Sequence, residues 1–164
     1  MKVDPQGRKA ATNGAKFEDI IEDAITQALE IPSRKWPKGE ERLTTDNVLL
    51  KNAPYESIYG TKCRSEFLLR YQGRDIRIEC KYQQSAGSVD EKLPYLMMNF
   101  TQKVDEAETI IITHGEGFRD GAINWLRESC RDTKCKVFTL LEFTLYLENL
   151  RNANSSQERP RFLG

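Results

Sequence analysis

The chain has 164 residues, with 25 Lys and Arg against 25 Asp and Glu, one histidine and four cysteines. That length suits a single domain with a real core and leaves little room for a separate recognition module. No run approaches the roughly 18 apolar residues of a membrane span, the polar start through Phe17 lacks the apolar centre of a secretory signal, and neither Cys63, Cys80, Cys130 and Cys135 nor His114 has zinc-site spacing. The reading is a cytoplasmic protein with buried free thiols and no membrane partner.

Residues 1–13 are polar, include Arg8 and Lys9, and read as a flexible arm. From Asn13 onward, Phe17, Ile20, Ile21, Ala24, Ile25 and Leu29 recur at spacings of three and four, which predicts an amphipathic helix ending before Pro32. Ile31 to Arg42 then reads as a loop. Thr44 to Leu50 and parts of Tyr55 to Tyr59 predict strand, interrupted at Asn52-Ala53-Pro54. Two better strands follow, Ser65 to Tyr71 and Asp75 to Tyr82, and the Gln72-Gly73-Arg74 connection makes them a hairpin.

Ser88-Val89-Asp90-Glu91 has the form of a capping box, so a helix starts there or, alternatively, at Pro94; Leu93, Leu96, Met97, Phe100 and Val104 carry its apolar stripe. Thr109 to Thr113 is the β-branched run of a strand covered on both faces. Phe118 to Arg131 predicts a helix, Cys135 to Leu140 a strand and Leu141 to Leu150 a closing helix, with a flexible tail at 153–164. That order predicts one α/β domain over 14–152, a mixed central sheet with helices on both sides.

The chemistry gathers around Arg77-Ile78-Glu79-Cys80-Lys81. Alternation on a strand places Arg77, Glu79, Lys81 and Gln83 on one polar face, and Ile76, Ile78, Cys80 and Tyr82 on the other. The hairpin brings Glu66 alongside. Two carboxylates and a lysine on one sheet face suit metal-assisted phosphodiester cleavage, because two acids hold a hard cation and the lysine offsets phosphate charge. The bland alternative is an exposed Glu79–Lys81 ion pair of little energetic consequence. Formal net charge is zero, yet basic residues cluster in Arg34-Lys35-Trp36-Pro37-Lys38 and at Lys62, Arg64, Arg70, Arg74 and Arg77. An acidic centre lowers the sum without removing a basic rim able to meet phosphates.

Four stretches in order, Gly14-Ala15-Lys16-Phe17-Glu18, Arg64-Ser65-Glu66-Phe67-Leu68-Leu69, Ile78-Glu79-Cys80-Lys81 with Tyr82-Gln83-Gln84, and Asp90-Glu91-Lys92-Leu93-Pro94-Tyr95, resemble the PD-(D/E)XK nuclease superfamily. The resemblance implies the restriction-endonuclease-like fold and a Mg2+-dependent endodeoxyribonuclease of restriction, homing or junction-resolving type, with Mn2+ able to substitute. A non-catalytic nucleic-acid-binding or assembly subunit that keeps the fold is the alternative.

In the site so implied, Glu66, Glu79 and the backbone carbonyl of Cys80 hold the metal, and Lys81 lies beside the attacking water and the scissile phosphate. Glu18 serves a second metal or a metal-bound water, with Glu22 as the fallback one turn later, and Gln83 hydrogen-bonds the water or a phosphate oxygen. Arg64 and Lys92 are phosphate contacts, while Arg34, Lys35, Trp36 and Lys38 form a DNA-contacting loop. The implied partner is DNA, the implied assembly a homodimer, and the setting a bacterial, archaeal or phage-infected cell. One departure stands out: Glu66 occupies a position where the family usually has aspartate.

Overall fold

A computed structural model describes residues 5–38 and 47–157; the strand start expected at Thr44 and the last residues of the expected tail, 158–164, lie outside them. Six strands form one sheet in sequential order: β1 (Ser33–Lys35), β2 (Val48–Glu56), β3 (Lys62–Tyr71), β4 (Arg74–Tyr82), β5 (Glu108–His114) and β6 (Cys135–Phe138). Strands β2, β3 and β4 are antiparallel neighbours, whereas β1 joins β2, β5 joins β4 and β6 joins β5 in parallel. The helices are α1 (Pro5–Leu29), α2 (Val89–Met98), α3 (Asp120–Cys130) and α4 (Leu140–Gln157), and α2 runs on into a π-helical turn, Asn99–Lys103. Among the described residues, no helix is long and apolar enough to cross a membrane.

Each sheet face has its own core. Phe17, Ile21, Ile25 and Leu29 of α1 and Phe143, Leu147 and Leu150 of α4 pack on Phe67, Leu69, Ile76, Ile78, Cys80, Ile110 and Ile112. Leu93 and Leu96 of α2, Phe100 of the π turn and Leu126 and Cys130 of α3 cover Ile111, Cys135 and Val137 opposite. Strand β5 therefore contributes Ile110 and Ile112 to one core and Ile111 to the other, which is why its sequence is apolar without alternation. All four cysteines are free thiols; Cys80, Cys130 and Cys135 are buried.

Several boundaries differ from the sequence expectation. Helix α1 begins at Pro5, ahead of the Asn13 start of its apolar stripe; Gln6, Arg8, Lys9, Ala10 and Ala11 are good helix formers by intrinsic propensity. Strand β1 falls inside the expected loop, its three residues paired to Leu49, Leu50 and Lys51. Strand β2 runs unbroken through Asn52-Ala53-Pro54. Asn52 takes the left-handed conformation (φ 57°) without shifting the register with β3, and Leu50 and Ala53 on either side of it enter one cluster with Val48 and Leu68. Pro54 lies past the residues that pair with β1, on an edge where its missing N–H breaks no ladder.

The capping box does not form. Ser88 makes no side-chain cap bond; the Val89 N–H donates instead to Gln83 Oε1 at 2.9 Å. Helix α2 nonetheless starts at Val89 and carries Pro94 inside it. Helix α4 continues past Leu150 to Gln157. The β3–β4 hairpin is as expected: Gln72 and Gly73 have φ of 50° and 72°, the paired left-handed geometry of a two-residue turn that matches strand twist.

Candidate active site

The β3–β4 ladder pairs Tyr71 with Arg74 at the turn and runs to Phe67 opposite Ile78. Continued by one residue, that register sets Glu66 against Glu79. There the Glu66 carboxylate accepts the Cys80 N–H at 3.2 Å, so a side chain occupies the gap in place of a strand-to-strand bond. Glu79 is 7 % exposed and takes the Lys81 ammonium on Oε1 at 2.5 Å. Its other oxygen, Oε2, is buried with no hydrogen-bond partner. The polar face of β4 is thus an interior one, with Arg77 4 % and Gln83 5 % exposed, and a solvated ion pair does not describe it.

Electrostatics binds these groups into one unit. Burial, followed by the charge of Glu79, pushes the Glu66 carboxyl up to about 9. Glu18 is also raised, first by its own burial and then by Glu79, while Lys81 draws it back. It therefore shares the field of the β4 residues. Burial alone would lower the Lys81 ammonium, but Glu79 and Glu66 outweigh it and hold Lys81 above its ordinary value. Lys81 is accordingly a fixed cation at neutral pH. Tyr55 is raised by burial and next by Glu79.

Two crowded carboxylates, one with an unmatched oxygen, fit a hard divalent cation that takes oxygen donors and keeps several waters. Among the described residues no three His, Cys, Asp or Glu side chains are set to hold a metal. Magnesium keeps most of its waters and tolerates as few as one or two protein carboxylates, which the Glu66–Glu79 pair offers.

Other predicted residues lie elsewhere or are engaged differently. Glu22 accepts Ser33 Oγ at 2.6 Å and pairs with Lys51 at 3.2 Å, so it ties α1 to β1 and β2. Gln83 does not face a free water site. Its amide donates to Asp90 Oδ1 at 3.1 Å and to the Gly117 carbonyl at 2.9 Å, while its oxygen receives Val89 N–H at 2.9 Å. That amide joins the end of β4, the start of α2 and the loop after β5. Arg64 is exposed and donates to the Asn52 carbonyl at 3.3 Å, and Lys92 is exposed on α2.

Arg34, Lys35 and Lys38 are exposed at or beside the β1 edge, separated from the Glu66–Glu79 gap by β2 and β3. Trp36 packs against Val48, Leu50, Ala53 and Leu68, so the loop holds it onto the domain. Sequence reasoning missed Asp90 and Arg77 as network members. Arg77 forks onto Glu106 at 2.9 and 2.7 Å, donates to Ser65 Oγ at 2.9 Å and lies over the Tyr55 ring at 5.3 Å. Its place beside Glu79 on the polar face was the available signal.

A family model, the PD-(D/E)XK nuclease superfamily domain, matches residues 9–153. The chain belongs to that superfamily, and its six-stranded mixed sheet with four helices has the restriction-endonuclease-like fold. No curated protein matches the chain. The crystal structure of protein VC1899 from Vibrio cholerae is similar at 14 % identity and a TM-score of 0.49, over 94 % of this chain and 36 % of that one. The chain thus spans about a third of that protein's length.

Proposed function

We propose that this chain is a magnesium-dependent endodeoxyribonuclease, with manganese able to substitute, acting in the cytoplasm as a restriction-type, homing or junction-resolving enzyme. The observation that carries this reading is the Glu66–Glu79–Lys81 group, in which the buried Glu79 carboxylate takes Lys81 on one oxygen and is crowded by the Glu66 carboxyl. Glu66, Glu79 and the Cys80 carbonyl would hold the ion. Bound there, it would supply an acidified water and relieve charge at phosphorus and on the leaving oxygen.

Lys81, kept cationic chiefly by Glu79, orients the attacking water and offsets charge on the phosphate. Glu18 adds a further carboxylate for a second ion or a bound water. Gln83 acts as a positioning residue, fixing the end of β4 from behind. Arg64 and Lys92 meet phosphates, and Arg34, Lys35 and Lys38 extend the basic rim outward. A compact domain that must cut two strands does so as a symmetric homodimer.

The test is incubation with supercoiled, linear and branched DNA, each with magnesium or with a chelator. Metal-dependent cutting is expected, and Glu79→Gln and Lys81→Ala each lower it by at least about 100-fold, the scale of losing one fixed transition-state contact. Undiminished cutting by both variants would overturn the assignment. The preferred DNA identifies the subclass.

A further inference from the structure

The buried guanidinium of Arg77 spans three strands at the point where the backbone ladders lapse. The β3–β4 register ends at Phe67 opposite Ile78, and the β2–β3 register passes from Lys51–Phe67 to Ala53–Ser65. Glu66 is therefore the residue within β3 that neither neighbouring strand pairs. Across from it on β2 stands Asn52, the residue in the left-handed conformation. Arg77 itself is 4 % exposed and so lies inside the domain, away from the basic rim.

Side chains replace the missing pairs. Arg77 Nη1 donates to Ser65 Oγ at 2.9 Å and to the Ala53 carbonyl at 3.0 Å, reaching from β4 to β3 and β2 at once. The buried Ser65 hydroxyl also lies within hydrogen-bond reach of the Ala53 and Phe67 carbonyls, at 3.4 and 3.3 Å. On the other side of the guanidinium, Nε and Nη2 fork onto the two Glu106 oxygens, and the Tyr55 ring lies against it. A two-point fork fixes the plane of the group, and with it the direction of Nη1. Burying a cation is costly, and an apolar side chain would fill the space without that cost. It could not tie Ser65 and Ala53 to β4.

We infer that Arg77 is a positioning residue for the metal site, holding the Ser65–Glu66 stretch of β3 at the separation from Glu79 that a divalent cation needs. Arg77 stands two residues before Glu79 on β4, and its hydroxyl partner stands one residue before Glu66 on β3. One guanidinium thus sets both carboxylate-bearing strands. The Cys80 N–H, at 3.2 Å, fixes the tip of the Glu66 side chain, and Arg77 fixes its root. Outer hydrogen bonds of this kind orient metal ligands and tune their affinity. The role rests on Glu66 and Glu79 holding the ion as proposed above.

Mn2+ binding to the full chain without DNA tests it, read from the loss of the free-ion electron paramagnetic resonance signal. Arg77→Lys keeps the charge on a single nitrogen, which cannot reproduce the fork, and should weaken Mn2+ binding by about 10- to 100-fold, the scale of losing a partner that orients a metal ligand. Ser65→Ala should weaken it by less, because Arg77 keeps the Ala53 carbonyl. The two changes together should be no worse than Arg77→Lys alone, since both act through one contact. Leu150→Ala, a truncation in the core under α4, controls for lost stability and should leave the Mn2+ affinity of the folded chain unchanged. Unchanged affinity in Arg77→Lys, an equal loss in Leu150→Ala, fully additive losses in the double variant, or no Mn2+ binding by the unaltered chain each overturns the role. If Arg77→Lys fails to fold by circular dichroism, Ser65→Ala decides, and unchanged affinity there overturns it.

DNA cutting by the unaltered chain with magnesium, measured in parallel, separates the two readings. Cutting with Mn2+ affinity indifferent to Arg77 and Ser65 overturns the positioning role alone. The selective affinity losses without any cutting uphold that role and overturn the nuclease, leaving a metal-binding domain.

Discussion

Glu66 reports the state of the whole acidic group, because its proton is set by neighbours. Its carboxyl has an ordinary value of 4.5 and is held up to about 9 in the fold, by burial and then by Glu79. Between those values the folded chain keeps a proton that the unfolded chain has released. The stability tied to this group is therefore complete below about 4.5 and is lost as pH rises toward about 9. Melting scans in chelator should show the midpoint falling across that window. Magnesium, which favours the ionised form, should flatten the fall, and so should Glu66→Gln, which has no proton to lose. A slope unchanged by Glu66→Gln would dismiss the coupling. Arg77 poses the matching question for a cation: Arg77→Met takes the fork from the half-buried Glu106 and the donor from the buried Ser65 hydroxyl, and urea unfolding should show a loss of about 1–3 kcal/mol.

The elements are locked together by side chains as much as by ladders. Gln83 ends β4, yet its amide serves Asp90, Gly117 and Val89, and its backbone joins His114 and Gly117 at 3.0 and 2.7 Å. Gln83→Leu should cost about 1–3 kcal/mol in urea unfolding for each buried partner left unmet. It should also lower cleavage, because the strand carrying Glu79 and Lys81 loses its anchor. The same crossing requires Gly115, whose φ is 104° and where a Cβ would come within 2.3 Å of the Gln83 carbonyl oxygen. Gly115→Ala should therefore destabilise the chain and raise the protease sensitivity of the α2 start, which limited proteolysis would read. Asn99 plays the equivalent part for the β2–β3 loop. Asn99→Ala should loosen that loop and cost about 1–3 kcal/mol for the Ile58 N–H it abandons.

At the scale of the molecule, the sheet is one continuous order of strands whose two faces carry separate cores, and the acidic group lies where the β3–β4 ladder stops. The expected homodimer belongs to this scale. Sedimentation of the full chain should give twice the monomer mass, and a monomer that still cuts both strands would remove the symmetric-dimer account. Much of this architecture was legible. The stripe from Phe17 to Leu29, the hairpin around Gly73 and the all-apolar run at Ile110 to Ile112 are local periodicities, and each became the element it predicts. Strand β1 was illegible because three residues carry no periodicity; their pairing with Leu49 to Lys51 alone makes them a strand.

The candidate site divides along the same line. Alternation along β4 sets Glu79 and Lys81 on one face with Cys80 on the other, because side-chain direction in a strand is decided within the strand. Sequence alone also determined the family resemblance, since its motifs are short and ordered along the chain. It did not determine that this polar face would be buried, that Glu22 would be spent on Ser33 and Lys51 while Glu18 shares the field of Glu79, or that Gln83 would hold loops. Those outcomes depend on partners distant in the chain, and hydrogen bonds and desolvation are settled only when separate elements close over one another. Only the tertiary structure could turn Glu79-Cys80-Lys81 into a buried group with one unmatched oxygen.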